Sequence, residues 1–263
     1  MIGKLATMFT WFGFDPYKFY RSMKGVVPYF RDRRELKKQM RLGSNEFPIA
    51  STHMCLDDRY LGNGMAQGHY FHQDLLVARR VFQNNPAEHV DVGSSVGSFV
   101  AHVAVFRPIK VFDIRPQTNR VRNIEFVQAD MMRPVREELH GCCDSLSCLH
   151  ALEHFGLGRY GDPVDINGHL RGLENLFNVL KPGGKFYLSV PIGKQRIEFN
   201  AHRVFNVGTL LEWFNGKYNV DCFSYVDDQG QLHENAGLQP SRVAENFGCV
   251  YGCGIFELTK LAS

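Results

Sequence analysis

The chain has 263 residues, 44% apolar and 22% charged, the composition of a globular protein with a sizeable core and not of a disordered or fibrous one. Its length fits one ordinary domain with an extension, and it holds no run of the roughly 18 apolar residues that a membrane span needs. The net charge of +3 hides an imbalance: residues 1–41 carry ten Lys and Arg against three acids, +7, which leaves −4 for the remainder.

Residues 1–70 form the first region. Met1 to Phe14 faintly resembles a signal peptide, but it carries one basic residue, and Asp15-Pro16 stands where a small-residue cleavage site belongs. The segment is therefore expected to remain as a basic helical extension, with short helices broken at Asp15-Pro16, Pro28, Pro48 and Gly62-Asn63-Gly64. Its interleaved basic and aromatic residues suit either a solvated helix face or peripheral contact with an anionic membrane surface. Nucleic acid is not expected as a partner, because the rest of the chain is acidic. The seven cysteines are odd in number, include the adjacent Cys142 and Cys143, and form no C-x-x-C pair, so they outline neither a disulfide framework nor a zinc ribbon. Cys249 and Cys253 stand close enough in sequence to share a metal, but read more simply as small buried residues beside a strand. A cytoplasmic setting follows, peripheral at the inner membrane face if the basic segment touches lipid.

From residue 71 to 263 the rhythm changes. A helix is expected over Gln73–Gln83, stopped by Asn84-Asn85-Pro86. His89–Val92 reads as a strand ending in a glycine turn, and Ser98–Phe106 as a helix. Strands follow at Lys110–Ile114, Ile124–Gln128 and Asp144–Leu149. Leu170, Leu173, Leu176 and Leu180 mark one side of a helix that stops at Lys181-Pro-Gly-Gly184, and Lys185–Val190 is the fifth strand. Asp221–Val226 and Gly254–Thr259 read as a final pair. Strands alternating with helices imply an α/β fold with a doubly wound, mostly parallel sheet of seven strands.

Ligands of such sheets bind beyond the carboxyl ends of the strands, where the winding reverses. After the first strand stands Asp91-Val-Gly93-Ser94-Ser95-Val-Gly97, whose small residues let the backbone approach a ligand closely. The dinucleotide pattern G-x-G-x-x-G is out of register there, so a nicotinamide pyrophosphate is poorly served. The second strand ends in Asp113, placed to accept from ribose hydroxyls, and the third is followed by Asp130, placed to accept from an adenine amino group. Acids at three consecutive strand ends describe a pocket for an adenosine without phosphates and with a cationic appendage.

On these residues the chain resembles the class I S-adenosylmethionine-dependent methyltransferases, which have a Rossmann-like fold. The matching pieces are Asp91-x-Gly93-x-x-x-Gly97, Asp113, Ala129-Asp130-Met131, Leu149-His-Ala-Leu-Glu-His154 and Leu180-Lys-Pro-Gly-Gly-Lys185-Phe-Tyr-Leu, over about residues 70–260. The resemblance implies S-adenosyl-L-methionine as cofactor. Asp91, Gly93, Ser94 and Gly97 would cradle its methionine part, Asp113 its ribose, and Asp130 and Met131 its adenine. Leu149 and His150 would flank the sulfonium, and upstream Tyr70, His72 or Gln73 would touch the carboxylate. Ser95 departs from the family, where glycine is frequent.

His150-Ala-Leu-Glu153-His154 also matches H-x-x-E-H, the pattern of inverted zinc peptidases, but that chemistry needs both histidines on a long helix, and this string closes a strand. No metal ligand set is assigned. A hydroxyl acceptor requires a base, for which His154 and His202 are the two candidates. Asp162, before a proline, reads as a turn former. The closest likeness is to an uncharacterised branch associated with surface-polysaccharide genes, which implies O-methylation of a sugar hydroxyl on a glycan or other small-molecule acceptor. A small-molecule or lipid methyltransferase is the alternative, as is a cofactor-binding module without turnover.

Overall fold

The computed structural model describes residues 8–42, 47–62, 64 and 66–262, so residues 1–7 of the signal-like stretch and the break expected at Asn63 lie outside the described residues. The chain divides into two compact units, Met1–Met65 and Ala66–Ser263.

The first unit is dominated by helix α1 (Pro16–Leu42). Asp15 caps it, its Oδ1 accepting the backbone N–H groups of Tyr17 at 2.9 Å and Lys18 at 3.0 Å. The helix runs unbroken through Pro28, where the sequence predicts an end. Proline withdraws the N–H that would bond the Lys24 carbonyl four residues back. The Tyr60 hydroxyl donates to that carbonyl at 3.1 Å, and the Lys24 ammonium lies 4.9 Å from the same ring, so the break is repaired from a distant turn. Gly25 is needed for this approach: a Cβ there would fall 1.8 Å from the Leu56 carbonyl oxygen. Trp11, Phe12, Phe19, Tyr20 and Phe30 are exposed beside the basic residues. No described helix is long and apolar enough to cross a membrane.

The second unit opens with α2 (His69–Asn84), four residues longer at its start than the periodicity predicts, and proceeds through β1 (His89–Val92). A short helix α3 follows, wound as π over Val96–Val100 and as α over Ala101–Ala104. Then come β2 (Ile109–Asp113), β3 (Ile124–Gln128), β4 (Cys143–Leu149), α4 (Gly168–Val179) and β5 (Leu180–Ile192). The hairpin β6 (Arg196–Glu198) and β7 (His202–Val204), helix α5 (Val207–Phe214), β8 (Tyr218–Val226), β9 (Leu232–His233), α6 (Pro240–Ala244) and β10 (Gly252–Lys260) complete it.

The main sheet has the order β3-β2-β1-β4-β5-β10-β8-β9, and β6 and β7 pair separately. Its first five strands are parallel, and β10, β8 and β9 close it antiparallel. This is the doubly wound α/β sheet, with eight strands where the sequence predicts seven. The additional one is two-residue β9 at the edge, too short to show alternation. Lys181-Pro-Gly-Gly184 does not separate α4 from β5. Leu180 already pairs with Cys143, and the next partners are Lys185 and Ser145, so the Pro-Gly-Gly run loops out as a bulge in a longer strand.

Each face of the sheet is covered by apolar side chains. Leu76, Val77 and Val81 of α2 pack with Phe99, Val111 and Ile255 on one face; Leu173 and Leu176 of α4 pack with Val90, Leu146 and Phe186 on the other. The winding reverses between β1 and β4, which pair directly although β2 and β3 lie between them in sequence. A crevice must open there, because the connections leave the two carboxyl ends in opposite directions.

Candidate functional site

The crevice is real and its floor is set by glycine. Gly93 follows β1 with φ +73°, and a Cβ on it would meet the Ala151 Cβ at 2.9 Å, so both the left-handed turn and the close approach of the β4 loop exclude a side chain. Val92, Phe112, Ala129, Met131 and Phe155 give an apolar lining, and Asp113, Asp130 and Asp162 stand among them. The cavity has about 590 Å³ of empty space, part of it open to solvent. A second opening adjoins it, sharing Gly93, Asp113, His150 and His154 and adding Tyr70, Ser94 and Leu149.

Of the residues expected to hold a cofactor, the structure brings Gly93, Ser94, Asp113, Asp130, Met131, Leu149, His150 and Tyr70 to this crevice. Asp91 and Gly97 are not among the lining residues. Asp91 is wholly buried beneath the floor, where it accepts from the Ser94 hydroxyl at 2.7 Å, the Ser94 N–H at 3.1 Å and the Ser147 hydroxyl at 2.6 Å. It therefore ties the first turn to β4, and burial pushes its carboxyl up to about 6. Gly97 is exposed on α3 with open space around it, and Ser95 and Val96 face the cleft in its place.

Asp113, at the tip of β2, is already engaged. Arg115 donates to it from its backbone at 2.8 Å, from Nε at 3.0 Å and from Nη2 at 2.7 Å. The guanidinium is more than half exposed and lies 4.7 Å from the Tyr160 ring, so it spans the mouth of the cleft. Asp130 accepts the Met132 N–H at 2.9 Å and stands 3.3 Å from Arg133 Nε. Asp162 gathers the N–H groups of Gly156, Gly158 and Tyr160 at 3.0 to 3.2 Å, the turn-forming role expected of it.

Beyond β4 lies a buried charged pair. His150, with φ +48°, points its Nδ1 at Glu153 Oε1, 2.6 Å away, and both side chains are almost fully enclosed. Burial alone would lower the imidazole pKa and raise the carboxyl, but each opposes that penalty for the other. His150 is held well above, and Glu153 below, its ordinary value. The pair is net neutral, so it adds no net positive charge to the cleft.

The two candidate bases are separated. His154 lines both openings and its Nδ1 donates to the Ala201 carbonyl at 2.7 Å. Burial lowers its pKa, so the ring is neutral at pH 7 with its proton on Nδ1, leaving the Nε2 lone pair as an acceptor. His202 does not line the cleft. It sits on β7, 3.3 Å from Glu198 and 5.0 Å from the Tyr251 ring. The segment after β5 folds into the β6–β7 hairpin and holds it there. Sequence reasoning missed Arg115, Arg159 and Tyr160. None belongs to a spacing pattern, and each acts through a contact made only in the fold.

Comparison with known proteins bears on this arrangement. A family described as "Caenorhabditis protein of unknown function, DUF268" matches residues 113–244, just over half of the chain. No curated protein matches the sequence. Among solved structures, the [4+2]-cyclase SpnF is similar at 15% identity and a TM-score of 0.50, over 83% of this chain and 86% of that one. The N-methyltransferase NodS from Bradyrhizobium japonicum WM9 is similar at 13% identity and a TM-score of 0.50, over 75% of this chain and 100% of that one. The shared feature is the Rossmann-like methyltransferase fold. One such structure is called a cyclase and the other a methyltransferase, so fold alone does not fix the reaction.

Proposed function

The chain belongs to the family described as Caenorhabditis protein of unknown function, DUF268, and we propose that it is an S-adenosylmethionine-dependent methyltransferase acting on a hydroxyl group of a sugar or glycan. The observation that carries this reading is the crevice at the winding reversal, where Gly93, Asp113, Met131 and His150 arrive from the ends of β1, β2, β3 and β4. Methyl transfer is assigned to the second unit, Ala66–Ser263, which brings Tyr70 with it, and the first unit is a basic extension.

The donor set fits the cofactor. Asp113 would accept from the ribose hydroxyls once Arg115, more than half exposed, gives up the carboxylate. Phe112, Ala129, Met131 and Phe155 would enclose the adenine, with Asp130 beside its amino group. Gly93 and Ser94 would face the methionine part, Tyr70 its carboxylate, and His150, whose ring lies 5.0 Å from that of Tyr70, the sulfonium. Bound there, S-adenosylmethionine supplies an electrophilic methyl group on a positive sulfur. Asp91 would act from below, by holding the Ser94 turn.

The acceptor class rests on His154. A hydroxyl becomes an effective nucleophile when a positioned base takes its proton. His154 Nε2 is such a base, its ring fixed through Nδ1 by the Ala201 carbonyl. Arg159 donates to the same carbonyl at 3.1 Å and Tyr160 packs edge-on to the histidine, so both position the base. The exposed aromatics and basic residues of the first unit support peripheral contact with an anionic membrane, which suits a lipid-linked glycan.

A second reading, a cofactor-binding module without methyl transfer, is favoured by the Arg115–Asp113 pair standing where a ligand would bind. The test is transfer of labelled methyl from S-adenosylmethionine to a panel of nucleotide-sugars and glycans, together with calorimetry using S-adenosylhomocysteine. Binding with labelled product supports the methyltransferase; binding with no product on any acceptor supports the second reading; no binding ends both.

A further inference from the structure

A row of rings runs beside the cleft and holds donor atoms that methyl transfer leaves unused. His202 packs on Tyr251, Tyr251 on His69 at 5.3 Å, and His69 on His150 at 5.2 Å. Cys253, in β10, lies against the inner end of this row. One donor atom each from His69, His150 and Cys253 falls within 4.8 Å of the other two, although the residues open α2, follow β4 and lie in the last strand.

The surroundings of these donors are those of ligands. His150 is 7% exposed; its Nδ1 is committed to the Glu153 carboxylate, while its Nε2 is buried without any hydrogen-bond partner. Apart from the neighbouring Cys253 thiol nothing satisfies it, and an unsatisfied buried nitrogen is costly. His69 is bonded to the backbone carbonyl of Tyr251. Histidines that bind metals characteristically use one nitrogen for the ion and give the other to a carboxylate or carbonyl, which fixes the ring. Both histidines here have that outer partner. Cys253 is wholly buried and free; its sulfur lies 3.7 Å from the Gln73 side-chain oxygen and 3.9 Å from the Gly254 carbonyl, and it also meets the His150 side chain.

We propose that His69, His150 and Cys253 form a binding site for a divalent transition-metal ion, with zinc as the preferred occupant and a fourth position left open. Ligation would displace the proton on His150 Nε2 and that of the Cys253 thiol, and the resulting two imidazoles and thiolate are borderline and soft donors, which suit zinc and exclude magnesium and calcium, whose ligands are oxygens. The rings of His69 and His150 now lie nearly parallel, at 15°, so ligation requires the less buried His69 ring to turn out of that stack. Because His150 also lines the ligand cleft, the ion would lock the ring that flanks the reacting end. This is not the inverted zinc peptidase arrangement: His154 is turned to Ala201, and the second and third ligands come from other strands and helices.

The proposal stands or falls on metal content, independently of methyl transfer. The full chain would be stripped with a chelator, dialysed against zinc chloride and measured by elemental analysis, with His69→Ala and Cys253→Ser alongside. The expected result is one zinc per chain in the parent and at least about 100-fold weaker zinc binding in either variant. Cobalt in place of zinc should give a thiolate-to-metal charge-transfer band in the parent and none in Cys253→Ser. Circular dichroism identifies a variant that has failed to fold, and half-buried His69 gives a substitution outside the core. A parent with no zinc above background, or folded variants that keep their zinc, would overturn the assignment.

Discussion

The two sides of the cleft are built in different ways. On the cofactor side, Gly93, Asp113, Asp130 and Leu149 sit at or just beyond the ends of four parallel strands, so the ladder of backbone hydrogen bonds sets their spacing. On the acceptor side, His154, Arg159, Tyr160 and Ala201 lie in turns, and their positions depend on a few local contacts such as the shared Ala201 carbonyl. The first side is therefore a property of the sheet, while the second is free to vary without disturbing the core. The proposed cofactor rests on the one and the proposed acceptor on the other; two solved structures of this fold carry names for different reactions.

Substitutions on the acceptor side should separate turnover from binding. His154→Ala is expected to lower turnover by about 10²–10⁴-fold while leaving S-adenosylhomocysteine affinity nearly unchanged, as read by labelled-methyl transfer and calorimetry. The pH profile carries the same claim. Burial holds the His154 pKa below the ordinary 6.5, so the accepting form prevails at neutral pH. Turnover should be flat above pH 7 and fall on acidification with a midpoint under 6.5. Stability changes with the same sign: the unfolded chain binds the proton first, so this group destabilises the fold as pH falls from about 6.5 through the lower, folded value. Next in size is Glu153→Gln, which leaves the buried His150 without its counter-charge. Urea unfolding should show a loss of about 3–5 kcal/mol.

On the cofactor side, binding should move instead. Asp113→Ala removes a charged acceptor and should weaken S-adenosylhomocysteine by about 10–100-fold. Arg115→Ala frees the same carboxylate and should act in the opposite direction, strengthening binding by about two- to fivefold, since an exposed ion pair is worth little. Smallest of all is His202→Ala, expected to change turnover by less than about threefold because the ring faces Glu198 and Tyr251. A larger effect would return His202 to the mechanism and blur the distinction between the two sides.

The same division explains what the sequence disclosed. Asp113 and Asp130 stood out because each follows a short apolar run, and a parallel sheet brings the ends of such runs together whatever separates them in the chain. Asp91 carried the same signal but lies within β1, one residue before its end, so its side chain points into the fold and not into the cleft. Nothing periodic announces Arg115 or Tyr160; their roles come from a 4.7 Å cation–aromatic contact between loops 45 residues apart. The break expected at Pro28 failed for a similar reason, since the Tyr60 hydroxyl that repairs it lies 36 residues beyond Lys24, whose carbonyl it bonds. His69, His150 and Cys253 are farther apart still, and only the fold of α2 against β4 and β10 unites them.

Calorimetric titration of the parent chain and of Asp113→Ala with S-adenosylhomocysteine, with NAD as the control ligand, tests the central claim most directly. One equivalent of S-adenosylhomocysteine bound by the parent, weakened at least about tenfold in the variant, with no binding of NAD, is the predicted result. Equal affinity in parent and variant, or binding of NAD in place of the sulfur nucleoside, would contradict it.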